Sequence, residues 1–464
     1  EQEEMAVAWV KKLETDYVKD PVFVKNFFRD FTRALNIKEK ILPEDFDFSA
    51  IREYVERERL QKLNLSKHEK KALVGVRKAL REANKERYGY AVVDGVKVEV
   101  ANYTVEPASI FMGRGKHPLR GRWKQGVAES DITLNLSPDA PVPVGNWKTI
   151  VWEPESMWIA NWRDKLRGKI KYVWISDTAH IKQLKEIEKY DRARELEDKI
   201  EAVRVHIMKN LESADPFRRK VATVCYLIDA LKLRVGDEKG KDEADTVGAT
   251  TLRPKHISFE QDGMVTLDFL GKDSVRWTKK VGLPNPVVNN LKIFVSDAQS
   301  TMFKGVRSED VTSFLGEVMP GLTAKVFRTY HASKVVDDFL RHADVSKSSP
   351  DLAKKYTATM ANLQAAILCN HKRKRPKNWR ESLRKKTERL RKLRASKTRR
   401  TKEALKKLRL QIKTMKKTVD YNLNTSLKSY IDPRIYRDWG RKVDFDWKLY
   451  YPKTLQRKFS WVDS

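Results

Sequence analysis

Ser426-Leu427-Lys428-Ser429-Tyr430-Ile431-Asp432-Pro433-Arg434-Ile435 sets one tyrosine directly before Asp-Pro-Arg. Alone, a tyrosine beside a proline turn reads as a packed or turn-capping residue. Its meaning comes from four segments that precede it in order: Leu233-Arg234-Val235-Gly236-Asp237-Glu238, Phe269-Leu270-Gly271-Lys272-Asp273-Ser274, Lys325-Val326-Phe327-Arg328-Thr329-Tyr330 and Ala366-Ile367-Leu368-Cys369-Asn370-His371. Each also has an ordinary reading. Arg234 at a helix end can cap carbonyls or pair with Asp237 or Glu238, and Lys272 in a turn is commonly solvated. Arg328 in a helix suits a salt bridge, and His371 beside Lys372 and Arg373 suits a helix C-terminus. The ordered set of Arg, Lys, Arg, His and Tyr is more specific than any member.

Charge narrows the partner. The 464 residues hold 95 Lys and Arg against 63 Asp and Glu, a formal charge of +32, which points to a polyanion. Nucleic acid fits better than a membrane, because no apolar run approaches the roughly 20 residues of a span. Cys225 and Cys369 are the only cysteines. Neither has a second Cys at metal-ligand spacing, so no metal site or disulfide framework is expected, and a reducing compartment is. The length suits two or three domains. The first residue is Glu1 and no signal-like segment follows, so the chain reads as a fragment whose targeting segment is missing.

From Glu1 to about Leu65 the pattern is helical. Met5, Trp9, Leu13 and Tyr17 step by four, and Phe23, Phe27, Phe28 and Phe31 form an aromatic stripe that reads as core. Ser66-Lys67-His68-Glu69 is a capping box opening a helix to about Arg87. Asp94-Gly95 then joins Tyr90–Val93 to the alternating Val96–Val100, a hairpin signal. Phe111 to Pro118 is a loop by its Gly and Pro content, and Ile170–Ile175 is strand-like. From His180 to His371 the expectation is helices around one β segment: a long charged helix over Ile181–Leu211, a buried one over Val221–Leu233 delivering Arg234, and a three-stranded meander over Ile257–Trp277. The meander turns at Gln261-Asp262-Gly263 and again at Lys272. Helices resume over Thr323–Phe339 and Ser349–Asn370. Lys372 to Lys417 holds 23 Lys or Arg against three Glu, a net charge of +20. Leu405, Leu408, Ile412, Met415 and Val419 keep a heptad beat there. With Trp379, Leu383, Leu390 and Leu393 as a first arm and a break near Ala395-Ser396-Lys397-Thr398, this predicts an antiparallel helical hairpin.

Cutting a phosphodiester by direct displacement needs a nucleophile, charge stabilisation on the non-bridging oxygens and a proton for the leaving oxygen. A tyrosine phenol can attack, although its ordinary pKa of about 10 calls for cationic surroundings. Arginines stay charged and fork two hydrogen bonds onto phosphate. A histidine adds a donor, a lysine can protonate the departing 5′ oxygen, and no step requires a metal or nucleotide.

In these residues, nearly end to end, the chain resembles the eukaryotic type IB DNA topoisomerases. The resemblance implies an α+β fold: a bilobed DNA clamp with a cap lobe over 1–179 and a mainly helical catalytic lobe over 180–371. A basic helical-hairpin linker over 372–420 and a C-terminal domain over 421–464 carrying Tyr430 complete it. It implies relaxation of supercoils of both signs, with Tyr430 forming a 3′-phosphotyrosyl bond. Arg234, Arg328 and His371 would hold the phosphate, and Lys272 would be the general acid. No cofactor is implied. The partner would be double-stranded DNA, bound by a monomer in the nucleus, or alternatively in a mitochondrion or other DNA-containing organelle. Arg114, Lys171, Arg253, His256, Asp273 and Lys325 fall where the family contacts DNA. Phe111, Gly113, Arg114, Asp273 and Ser429 fall where it holds camptothecin-like inhibitors. Gly113-Arg114-Gly115-Lys116 has the wrong spacing for a P-loop. Ser429 departs from the Asn usual before the nucleophile, and the family's charged N-terminal region and first piece of clamp do not precede Glu1, which implies weaker clamp closure and lower processivity. A tyrosine recombinase shares the five residue types, but the basic hairpin and the cap lobe favour the topoisomerase. A non-catalytic DNA-binding relative is the remaining alternative.

Overall fold

The computed structural model describes residues 1–39, 43–113, 115–236, 246–261, 263–394 and 399–463, with Asp273 and residues 399–401 described by backbone alone. It divides into two compact units, one formed by Glu1–Lys182 and the other by the described residues from Gln183 on. Both combine helices with small sheets, so the chain is α+β. No helix among the described residues is long and apolar enough to cross a membrane.

In the first unit, α1 (Gln2–Val10) and α2 (Pro21–Ala34) bury the aromatic stripe. Asp20 caps α2 by accepting from the amides of Val22 and Phe23, and Pro21 sits where a missing N–H costs nothing. Trp9 stacks on Phe27 at 4.6 Å, and Phe23, Phe28 and Phe31 close the cluster. Burying side chains of this size stabilises by roughly 2 kcal/mol each. The step-by-four pattern overruns the helix: α1 ends at Val10, and Tyr17 lies in a 3₁₀ turn from which it still packs on Phe23 at 5.4 Å. The capping box is present, with Ser66 and Glu69 exchanging bonds at the start of α4 (Lys67–Tyr88), which follows α3 (Ser49–Asn64). The hairpin of β1 (Tyr90–Val93) and β2 (Val96–Glu99) turns through Asp94 and Gly95, both at positive φ. After the short pair β3 (Ser109–Ile110) and β4 (Trp123–Lys124) come β5 (Ile132–Asn135), β6 (Thr149–Val151), β7 (Trp158–Arg163) and β8 (Ile170–Trp174). They make a sheet in the order β6-β5-β7-β8, antiparallel except for β5 with β6.

The second unit has two cores. One packs α5 (His180–Asn210), α6 (Pro216–Leu231), α7 (Asn285–Ser296) and α8 (Ser308–Gly316) around the meander β9 (Ile257–Phe259), β10 (Met264–Gly271) and β11 (Val275–Gly282), in the order β11-β10-β9. The meander's last strand runs five residues beyond Trp277. The turn residue Asp262 lies outside the described set. The other core joins α9 (Ala324–Arg341) and α10 (Asp351–Leu368) to the C-terminal segment through Ala332, Val336, Ala358, Leu427, Ile431 and Tyr436. Between them stand α11 (Trp379–Arg394) and α12 (Arg399–Thr418). Trp379 bonds the Met415 carbonyl and Lys386 bonds Gln411, so α12 runs back along α11. The expected break at 395–398 lies outside the described residues. At the foot of this pair the Arg373 amide donates to the Asp420 carbonyl, and Arg375 pairs with the Asp420 carboxylate.

Candidate active site

Arg234 does not end a helix as its sequence suggests. α6 stops at Leu231, Lys232 caps it in the left-handed region at φ 58°, and Arg234 follows in a loop. Its carbonyl accepts from Ala249 and that of Val235 from Thr250. Gly236 and Gly248 approach so closely here that a Cβ on either would fall within 2.7 Å of the other's backbone. Only glycine allows that approach, which fixes the loop after Arg234. Asp237 and Glu238, its candidate partners, lie outside the described residues.

Arg328 is 4% exposed on α9. One guanidinium nitrogen donates to the Lys232 carbonyl, and Nη2 donates to the Cys369 carbonyl at 3.0 Å and lies 3.4 Å from His371 Nε2. Its buried Nε has no hydrogen-bond partner. Among the described residues neither Arg328 nor Arg234 has a carboxylate partner. The Arg328 guanidinium lies over the Tyr430 ring at 5.0 Å, and the His371 ring stacks against the same ring at 5.3 Å. His371 and Tyr430 are 6% and 7% exposed. His371 Nδ1 meets Ser426 Oγ at 2.8 Å, and its carbonyl accepts from the Asn422 amide. Burial first, then the charges of Arg328 and Arg234, push the imidazole pKa down to about 3. Burial also lowers the pKa of Arg234.

The Asp-Pro-Arg motif now has a physical reason. Tyr430 closes α13 (Leu423–Ser429), and Asp432 immediately caps α14 (Pro433–Val443) by accepting from the Arg434 amide, with Pro433 at the first helical position. The buried Asp432 carboxylate also takes the Arg434 and Arg194 guanidinium groups. Ser333 on α9 donates to the Tyr430 carbonyl at 3.2 Å and accepts from the Asp432 amide at 3.0 Å. One hydroxyl therefore holds the backbone directly after the Tyr430 Cα.

Four of the five candidates thus meet in one cluster. Lys272 is exposed in a 3₁₀ turn between β10 and β11, and among the described residues it bonds none of the other four. That hairpin is tied to the cluster nonetheless, since Asn370, beside His371, donates to the Arg276 carbonyl at 3.3 Å. Ser429 is half-buried as the last residue of α13, and Lys325 is exposed on the first turn of α9. The Arg253 amide donates to His256 Nδ1 at 3.1 Å, a turn that seats the His256 ring 6.1 Å from Phe269. Asp273 is described by backbone alone, and Arg114 lies outside the described residues. In the first unit, Lys171 pairs with Glu106 at 3.5 Å, and Phe111 packs on His117 with Arg167 over its ring. Gly113 has φ +64°, and a Cβ there would lie 2.8 Å from that of His117.

Sequence reasoning missed the supports. Ser426 stands four residues before Tyr430, a helical spacing that places it on the same side. Ser333 and the carbonyls of Lys232 and Cys369 carry no sequence signal.

Three family models match the chain: the eukaryotic DNA topoisomerase I DNA binding fragment over residues 1–175, its catalytic core over 178–423 and a C-terminal topoisomerase domain over 402–464. DNA topoisomerase 1 of Candidozyma auris is 37% identical over 88% of this chain and 55% of its own length. That of Drosophila melanogaster is 33% identical over 100% of this chain and 50% of its own, and the human protein is 32% identical over 99% and 66%. The chain spans about half to two thirds of the length of these relatives. With the catalytic-core model covering more than half of it, the chain belongs to the eukaryotic DNA topoisomerase I family.

Proposed function

We propose that this chain relaxes supercoiled double-stranded DNA by cutting and resealing one strand through a 3′-phosphotyrosyl intermediate at Tyr430. The observation that carries the reading is the buried Arg328 guanidinium, with Nε unpartnered beside the Tyr430 and His371 rings. A buried arginine kept for structure is normally paired with a carboxylate. This one is set against carbonyls and a neutral imidazole, which leaves its charge for an incoming phosphate.

Tyr430 Oη attacks phosphorus and the bond to the 5′ oxygen breaks. Arg234 and Arg328 take the charge on the non-bridging oxygens. His371 adds a donor from Nε2 once a phosphate oxygen takes the place of the 3.4 Å contact with Arg328, while Ser426 Oγ holds Nδ1 at 2.8 Å. Lys272, on its exposed turn, supplies the proton to the leaving oxygen. The phosphotyrosine conserves the bond energy, so resealing reverses these steps without nucleotide hydrolysis. Supporting proposals follow from the family: a monomer acting in the nucleus, with residues 1–179 and 180–371 as lobes of a clamp, 372–420 as a basic linker and 421–464 presenting the nucleophile. Lys171, Arg253, His256 and Lys325, with Arg114 and Asp273, would contact DNA.

The test is relaxation of positively and negatively supercoiled plasmid in EDTA without ATP. The parent relaxes both and Tyr430→Phe relaxes neither. An inert parent that still binds DNA sinks the proposal. A second measurement probes the inhibitor set formed by Phe111, Gly113, Arg114, Asp273 and Ser429. Ser429 offers one hydroxyl in place of the family's amide, so camptothecin trapping of cleaved DNA should be weak in the parent and stronger in Ser429→Asn. Equal trapping in both would remove Ser429 from that site.

A further inference from the structure

Two rungs join α6 to α9. At one, Arg328 donates to the Lys232 carbonyl. At the other, three residues earlier on α6 and three later on α9, His331 Nε2 lies 2.6 Å from Asp229 Oδ1. A spacing of three keeps Arg328 and His331 on one face of α9. Asp229 and His331 are 7% and 9% exposed. The second carboxylate oxygen accepts from Arg204 Nε on α5 at 2.8 Å, so the pair links three helices. Against the cost of burial, the bonds from His331 and Arg204 hold the carboxyl at about 2, and it stays ionised.

Among the described residues this pair bonds neither Tyr430 nor His371, and the scheme for strand cleavage does not use it. Its place in the fold gives it another task. α6 ends one residue before Lys232, and Arg234 follows two residues later in a loop. The surrounding core of Val224, Leu227, Ile228, Val326 and Phe327 sets the separation of the helices. Apolar contact is non-directional and does not fix their register along the axis. A short hydrogen bond to a buried carboxylate does. If α6 moved along α9, the Lys232 carbonyl would leave Arg328, and Arg234 would move with it.

We propose that the buried Asp229–His331 pair, braced by Arg204, is a positioning device that holds Arg234 and Arg328 in register for phosphate. The proposal rests on the reading of the cluster as a strand-cleavage site. Asp229 and His331 are positioning residues, since neither touches the reacting atoms.

His331→Leu puts an apolar side chain of comparable size in its place and removes the directional bond. His331→Asn returns an N–H donor toward Asp229. Both are compared with the parent in single-turnover cleavage of an oligonucleotide duplex, in DNA affinity and thermal midpoint, and in the titration of His371 followed by NMR on the full chain carrying 13C-histidine. The Leu variant should cleave about 10- to 100-fold more slowly with DNA affinity unchanged. Its His371 should titrate at higher pH, because the charges of Arg328 and Arg234 have lost their places. The Asn variant should recover most of the rate. A Leu variant that cleaves like the parent, or an Asn variant no faster than Leu at equal thermal midpoint, overturns the proposal. If the Leu variant does not fold, Asp229→Asn, which keeps an acceptor and removes the charge, carries the same comparison. A parent that fails to cleave while His371 still shifts in the variant sinks the functional reading and leaves the register intact. A cleaving parent whose His371 does not shift in the variant does the reverse.

Discussion

Arg328→Lys is expected to slow strand cleavage by about 100-fold or more, the loss typical of removing one preorganised donor from a transition-state site. The charge is conserved in this exchange, so the effect tests geometry. The guanidinium is a planar fork with five N–H groups. Here two of its nitrogens are engaged by the Lys232 and Cys369 carbonyls, which fixes the plane and directs the rest of the group to the side where Tyr430 and His371 meet. A lysine ammonium in that space would settle on the two carbonyls and offer no donor at a fixed angle. DNA affinity should change little, because a chain of charge +32 is expected to bind DNA through many phosphate contacts at once. The readout is the single-turnover rate of covalent adduct formation on a duplex whose cleaved strand cannot religate, beside a salt titration of binding. A Lys variant with the parent's cleavage rate would show that only the charge matters, and the phosphate-fork role would fall.

Much of the second unit could be read from its sequence because local signals agree with the fold there. The turn at Lys272 and the alternation around it give the meander, and Asp-Pro-Arg announces a capped helix directly after Tyr430. Four of the five candidate residues lie together in the fold. The exact end of α6 was not legible, since Lys232 adopts a left-handed conformation that its side chain does not advertise. Nor was the set of carbonyls that holds Arg328, because backbone acceptors look alike in sequence and are selected only by tertiary packing. Asp229 and His331 read as ordinary helix residues for the same reason: they lie 102 positions apart. In the first unit the aromatic stripe was clear, but the step of four carried past Val10 into a 3₁₀ turn, where Tyr17 stays exposed and only its ring touches Phe23.

Acid should weaken the second unit from about pH 6.5 downward, and His371 should account for much of that loss. Unfolded, its imidazole gains a proton near its ordinary pKa of about 6.5. Folded, burial and the neighbouring charges of Arg328 and Arg234 delay protonation until about 3. Between those values the unfolded chain binds more protons, so stability rises with pH and is lost as pH falls. Each unit of separation is worth about 1.4 kcal/mol, which puts the whole window on the order of a few kcal/mol. His331 adds in the same direction, because burial lowers its pKa too, despite the bond to Asp229. Asp229 enters lower: its carboxyl is held at about 2, so its contribution is complete above about 3.8 and disappears as pH falls through 2. Urea unfolding followed from pH 7.5 to 4 should give a falling midpoint for the parent and a shallower fall for His371→Gln, with the residual slope shared by His331 and, near the acid end, by carboxyls such as Glu317 whose pKa is lowered in the fold. Parallel slopes in the two proteins would mean that the His371 ring is not buried beside the two arginines in solution, and with it the closed arrangement of Arg234, Arg328 and Tyr430 on which the proposed phosphate site rests would have to be given up.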